Sequence, residues 1–197
     1  MAKQLYIADW HYGHKNILYY DNRPFTSVEA MNKALVANWQ TAVQPEDTVY
    51  VLGDMFWCSE IAAVPILREL NGTKVLVRGN HDTTKKAEFR TQFAQIADYL
   101  EIEDGGRHVV LSHYPIVCFK NHYYGWHHLY GHVHTSFEAN MMEHEAWLLE
   151  ELYGKKTLMF NVGAMQPWMG YTPRTLDEII AKSVEYEDFL RQLNKGE

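Results

Sequence analysis

The chain has only two cysteines in 197 residues, Cys58 and Cys118, far apart and outside any Cys-x-x-Cys pattern. A disulfide framework and a thiolate zinc knuckle are therefore excluded, and both read as free thiols. It has no run of 18 uncharged apolar residues, so no helix is expected to span a bilayer. The segment MAKQLYIAD lacks the apolar stretch of a secretory leader, which points to the cytoplasm. Lysine and arginine are outnumbered, 18 to 25, by acidic residues and are scattered singly or in pairs such as Lys85-Lys86. No basic stripe exists for a long nucleic-acid backbone, and a small ligand is the expected partner. Internal repeats, low-complexity tracts and Pro/Ser-rich linkers are absent as well, so one domain over residues 1–197 is expected.

What is there is a series of short β-rich runs separated by helical patterns. Leu5–Ala8, Thr48–Leu52, Lys74–Val77, Arg107–Leu111, His128–Tyr130 and Thr157–Phe160 read as buried strands. Helices are expected at Ser27–Val43, with Thr26 and Glu29 as a capping box, at Ser59–Leu70 with Pro65 kinking or shortening it, and at Lys85–Ile96. Glu143–Tyr153 reads as a helical surface excursion. A second capping box, Thr175 with Glu178, opens a C-terminal helix whose Leu176, Ile179, Ile180 and Val184 share one face. Asp104-Gly105-Gly106 predicts a tight hairpin between Tyr99–Glu103 and Arg107–Ser112. The mixture implies a layered α/β domain.

Chemistry-bearing residues gather where apolar runs meet polar turns: Asp9 and His11, Asp54, Asn80 and His81, His113, and His132 with His134. The alternation of an extended strand would send both members of Asp9/His11 and of His132/His134 the same way. The carboxyl ends of strands are where α/β ligand sites usually gather. Imidazole, carboxylate and amide oxygen without thiolate favour manganese, iron, nickel, cobalt or zinc over calcium. Two divalent ions would bring four positive charges against two from Asp9 and Asp54, enough to draw a phosphate ester to an acidic chain.

These blocks, Asp9-x-His11, Gly53-Asp54, Gly79-Asn80-His81-Asp82, Ser112-His113 and Gly131-His132-x-His134, resemble in order the signature of the calcineurin-like metallophosphoesterase superfamily. ADWHYGHKNI, NRPF, VYVLGD, VRGNHD, LSHYPI, YGHVH and NVGAMQPWMGYTPRTLDEII look like its small single-domain bacterial and phage members, over nearly the whole chain. The resemblance implies two packed mixed β-sheets flanked by helices, in four layers. It implies that Asp9, His11 and His134 hold one divalent ion, manganese foremost, that Asn80, His113 and His132 hold a second, and that Asp54 bridges them. It places His81 over the phosphate, where as general acid it would protonate the leaving alkoxide while a hydroxide held by the ions is the nucleophile; Asp82, next in sequence, would help orient that ring. Ala8 departs from the serine common at that place, which bears on support more than on ligation.

His14, three residues past His11, could touch substrate at the crevice rim, and Arg23 in NRPF could pair with phosphate oxygens or form a surface ion pair. Among Tyr12, Trp57, Tyr114, Tyr123, Tyr124, Trp126, Trp168 and Tyr171, a few would line the cleft and the rest pack the core. His108, His122, His127, His128 and His144 are expected to be solvent-facing or hydrogen-bonded. The favoured activity is hydrolysis of a small nucleotide-like phosphate diester. The alternatives are a phosphomonoesterase or nuclease on the same site, and a silent metal-binding scaffold. The protein-phosphatase branch is disfavoured, because Met55-Phe56-Trp57 stands where it has an Asp-Arg-Gly run and Asp82 where it has Glu.

Overall fold

The computed structural model describes residues 2–193, so Met1 and residues 194–197 of the single-domain span lie outside it. β1 (Gln4–Ile7), β2 (Thr48–Val51), β3 (Thr73–Val77) and β4 (Gln95–Ala97) form a first sheet, parallel throughout. β5 (Tyr99–Asp104), β6 (Arg107–Ser112), β7 (His127–Tyr130) and β8 (Met159–Asn161) form a second, in which β5 is antiparallel to β6 and the rest run parallel. Bridges at Ala8/Gly163 and Tyr6/Arg174 tie the β1 edge to the segment that follows β8. One apolar cluster runs from Val49, Val51 and Leu76 in the first sheet to Val109, Leu111 and Leu129 in the second. Helices flank the sheets: α1 (Ile17–Tyr20), α2 (Val28–Ala42), α3 (Glu60–Glu69), α4 (Ala87–Arg90), α5 (Phe137–Tyr153) and α6 (Leu176–Leu193). No described helix is long and apolar enough to cross a membrane.

Several local expectations are met for their stated reasons. Gly105 and Gly106 both adopt positive φ, the backbone a two-residue hairpin turn requires. Thr175 and Glu178 exchange reciprocal capping bonds at the start of α6. The exposed α5 is the foreseen excursion, although it begins earlier, at Phe137 behind an Ser136 cap.

Others need correction. The cap of α2 is Ser27, which accepts from Ala30 N, one residue past Thr26. Pro65 does not interrupt α3: it removes the donor that Ile61 O would have used, and both residues face solvent, where water satisfies that carbonyl. Of the proposed core face on α6, Leu176 and Ile179 are buried, but Val184 is 43% exposed. The segment Lys85–Ile96 is not one helix. It holds only the four-residue α4 before Gln95–Ala97 joins β3 as the sheet's fourth strand.

Candidate metal centre

Five of the eight strands among the described residues end beside one crevice, and each delivers a ligand-type side chain just past its carboxyl end: β1 to Asp9, β2 to Asp54, β3 to Asn80, β6 to His113 and β7 to His132. The geometry of delivery differs from strand alternation. Asp9, His11, Asp54, His132 and His134 all lie in the left-handed region, with φ of 52°, 49°, 54°, 70° and 49°. An L-residue there costs about 1–2 kcal/mol, and such strain concentrates where a side chain must be aimed. Bonds between the turns hold it: Asp9 N and His11 N donate to Gly53 O and Asp54 O, each at 3.0 Å. His132 N donates to Asp9 Oδ2 at 2.9 Å, and His81 N to Asp54 Oδ1 at 2.9 Å. Two glycines make room, since a Cβ on Gly79 would run into Asp54 Oδ1 and one on Gly131 into Asp9 Oδ2.

Asp9, His11, Asp54 and His113 are buried. Two groups have ligand atoms within 4.8 Å of one another, Asp9–His11–His134 and Asp9–Asp54–His113. Asp54 Oδ2 lies between the two sides, 3.9 Å from His11 Nε2 and 3.7 Å from His113 Nε2. Asn80 Oδ1 approaches from the outer rim, 3.0 Å from both His113 Nε2 and His132 Nδ1. His11 Nε2 and His134 Nε2 face each other at 3.2 Å. The seven residues singled out as ligands thus occupy one place.

Their protonation is set by what stands behind them. His134 Nδ1 contacts Asp21 Oδ1 at 2.8 Å, so Nδ1 carries the hydrogen and Nε2 faces inward. Burial opposes charge on this ring, yet the Asp21 bond and the charges of Asp9 and Asp21 together raise its pKa. His113 Nδ1 donates to Leu52 O at 2.8 Å, which turns its Nε2 lone pair inward too. Burial, reinforced by positive neighbours, holds His11 far below the ordinary histidine range, so it stays neutral. Burial pushes the Asp9 carboxyl up to about 6, with Asp54 adding to the effect and His134 and His113 opposing it. Because the Nδ1 hydrogens of His113 and His134 point outward, the space between these side chains gathers acceptor atoms, the environment a cation relieves.

His81 stands at the crevice mouth, its side chain 40% exposed, with Nε2 3.8 Å from Asp54 Oδ2 and its ring edge-on to Trp57 at 4.4 Å. His14 lies flat on the same Trp57, ring centroids 3.9 Å apart, and both line a cavity of about 410 Å³ with His11, His81, His132 and His134. Of the other aromatics, Tyr114 reaches the centre, edge-on to His132 at 4.5 Å. Tyr12 packs against Trp10 and Phe56, Tyr171 against Phe25, Trp126 on His108, and Tyr123 against Tyr153.

Two expected contacts are absent. Asp82 does not touch the His81 ring: its Oδ2 accepts from Asp54 N at 2.8 Å and Gly79 N at 2.9 Å, clamping two ligand turns together. Arg23 does not face the crevice. Its guanidinium is fully buried, paired with Asp21 at 2.9 Å and donating to Trp10 O and Asp9 O, so it braces the first turn from behind. Asp21 itself was not singled out from the sequence, and only its place one residue before NRPF hinted at it. His127 and His128 are both buried; His127 bonds to the His108 backbone while its Nδ1 lacks a partner, and His128 is bonded through both ring nitrogens.

A two-sheet α/β fold with carboxylates and imidazoles converging at its strand ends defines a class of metal-site proteins. The chain belongs to the calcineurin-like phosphoesterase superfamily, whose domain model matches residues 3–178. It is similar to the uncharacterized protein MJ1445 of Methanocaldococcus jannaschii, 34% identical over 196 residues that make up 98% of each chain. A shorter match, 29% identical over 136 residues, covers 59% of this chain and 65% of the gene 66 protein of Mycobacterium phage L5. Among solved structures, the protein of unknown function AQ665 from Aquifex aeolicus superposes with a TM-score of 0.68 at 28% identity, covering 92% of this chain and 99% of that one.

Proposed function

We propose that the protein is a dinuclear-metal phosphodiesterase that hydrolyses a small, nucleotide-like diester with His81 as general acid. The observation that carries this reading is the gathering of acceptors: Asp9, Asp54, Asn80 Oδ1 and the Nε2 atoms of His113 and His134 share a space from which the Nδ1 hydrogens of both rings point away. In the proposal Asp9, His11 and His134 hold one ion, Asn80, His113 and His132 the other, and Asp54 serves both. Manganese is the proposed ion, with iron, nickel, cobalt or zinc able to use the same donors. When bound, two such ions supply Lewis acidity that activates water and offsets charge on the phosphoryl oxygens.

The chain's own residues supply the rest. His81, its side chain 40% exposed, is open to a departing oxygen at the crevice mouth, while its backbone bond to Asp54 Oδ1 keeps it at the centre. His14 and Trp57 present a flat apolar wall suited to a base or aryl group. The charge of the crevice favours a diester over a monoester. Among the described residues its lining contains Asp21 and Glu138 and no lysine or arginine, and Arg23 is committed elsewhere, so a monoanion is better tolerated than a dianion. The test is hydrolysis of bis-p-nitrophenyl phosphate beside p-nitrophenyl phosphate with added manganese. Preference for the diester supports the reading, preference for the monoester replaces it with a phosphatase, and inactivity of both across several metals leaves a binding scaffold.

A further inference from the structure

A second cavity, of about 320 Å³, meets the first at His81, which alone among the described residues lines both. The two differ in character. The first contains ligand-type imidazoles and carboxylates. The second is walled by Phe56, Ile61 and Phe89, and Lys85 and Lys86 stand at its edge. Its volume is at the small end of the roughly 300–1,000 Å³ range of ligand pockets. Two carboxylates also line it, but both are turned to backbone amides. Glu60 accepts from Thr83 Oγ1, Lys85 N and Lys86 N, and Asp82 from Asp54 N and Gly79 N. Neither lysine ammonium forms an ion pair among the described residues, and both side chains are exposed. An apolar slot edged by two lysine ammoniums, of which Lys86 also feels the Glu60 carboxylate, suits a planar organic group with an anionic end.

We propose that this cavity is the leaving-group pocket and selects alcohols that combine a planar apolar body with an anionic group. The inference rests on the phosphodiesterase reading and extends it to substrate choice. In the reaction, the oxygen of water adds to phosphorus and gives up one proton to solvent, while the P–O bond to the departing alcohol breaks with its electron pair on that oxygen. His81 supplies the proton that the departing oxygen takes and regains one from solvent, so that water and diester give monoester and alcohol. The departing oxygen must therefore lie beside His81, with phosphorus on the ligand side, so the body of the alcohol extends past that ring towards the second cavity.

Two matched substrates isolate the claim: methyl 4-nitrophenyl phosphate, and methyl 3-carboxy-4-nitrophenyl phosphate, whose leaving phenol adds only a carboxylate. The wild-type protein with manganese should prefer the carboxylated ester. In the double variant Lys85→Ala/Lys86→Ala the ratio of the two kcat/KM values should fall about tenfold, the scale of one charge-assisted contact. Inhibition by the released 5-hydroxy-2-nitrobenzoate should weaken in parallel. Ile61→Trp, which fills the slot, should lower kcat/KM for both esters. Hydrolysis of both esters with a ratio that the lysine variant does not move would overturn the pocket while leaving the phosphodiesterase reading intact. Inactivity of the wild-type protein on both esters and on bis-p-nitrophenyl phosphate would overturn the two together.

Discussion

The two halves of the centre are built from similar donors but are backed differently. Behind Asp9, His11 and His134 stands a buried ion pair: Arg23 holds Asp21, and Asp21 holds His134 Nδ1. Behind Asn80, His113 and His132 no carboxylate among the described residues bonds the outer nitrogen of an imidazole, and the Asp82 carboxylate accepts from the backbone amides of Asp54 and Gly79. His113 rests on Leu52 O, and buried His128 accepts from Ile116 N at 3.0 Å and donates to Val110 O at 3.1 Å, tying the turn after His113 to β6. A carboxylate behind an imidazole raises its basicity more than a carbonyl does, so the first half should bind a divalent ion more tightly and the second should exchange it more readily.

The largest effect is expected at Asp54, whose Oδ2 lies between His11 Nε2 and His113 Nε2. Asp54→Asn should strip manganese from both and lower turnover by more than the roughly 10–100-fold that loss of a supporting residue costs. Metal content by mass spectrometry with steady-state rates checks it, and full loading of both halves would refute the shared role. Next is the second half in acid. Burial holds His128 at about 4, below its ordinary 6.5, so the unfolded chain binds more protons between those pH values. Stability is therefore complete above about pH 6.5 and lost as pH falls towards 4, by up to about 3 kcal/mol for this group. Urea unfolding of metal-free protein at pH 7 and pH 5 should show that loss, and His128→Gln should flatten it.

A smaller effect tests the first half. Asp21→Asn keeps a hydrogen-bonding shape but removes the charge, and should weaken the tighter manganese site about 10–100-fold while sparing the other. Calorimetric titration resolves the two, and equal weakening of both would erase the asymmetry. Trp147→Ala, at an exposed position of α5 that does not line the crevice, should change stability by under about 0.5 kcal/mol and leave both metal affinities in place.

The same asymmetry shows what could be read before the fold was known. Each ligand side chain sits in a compact block such as GNHD or GHVH, and those blocks mark the carboxyl ends of five strands. Capping at Thr175 and the Gly105-Gly106 turn were legible because both depend on neighbours within four residues. What escaped depends on distant partners. β4 is three residues long, too short to show alternation, and exists because β3 offers it a ladder. Asp21 is an ordinary loop carboxylate until the fold brings His134, 113 positions away, to it. Asp82 pointed by adjacency to His81, but the close approach of the Asp54 and Gly79 amides captures its oxygen instead. The left-handed turns at Asp9, His11, His132 and His134 escaped because alternation already offered a way to aim paired ligands.

The central claim is that seven side chains from five strand ends hold two ions on either side of Asp54. Crystals grown with manganese and measured at its absorption edge test it most directly. The account predicts two anomalous peaks, one among Asp9, His11 and His134, the other among Asn80, His113 and His132, with Asp54 touching both. A crevice without anomalous density, or ions bound elsewhere while these side chains face empty space, would contradict it.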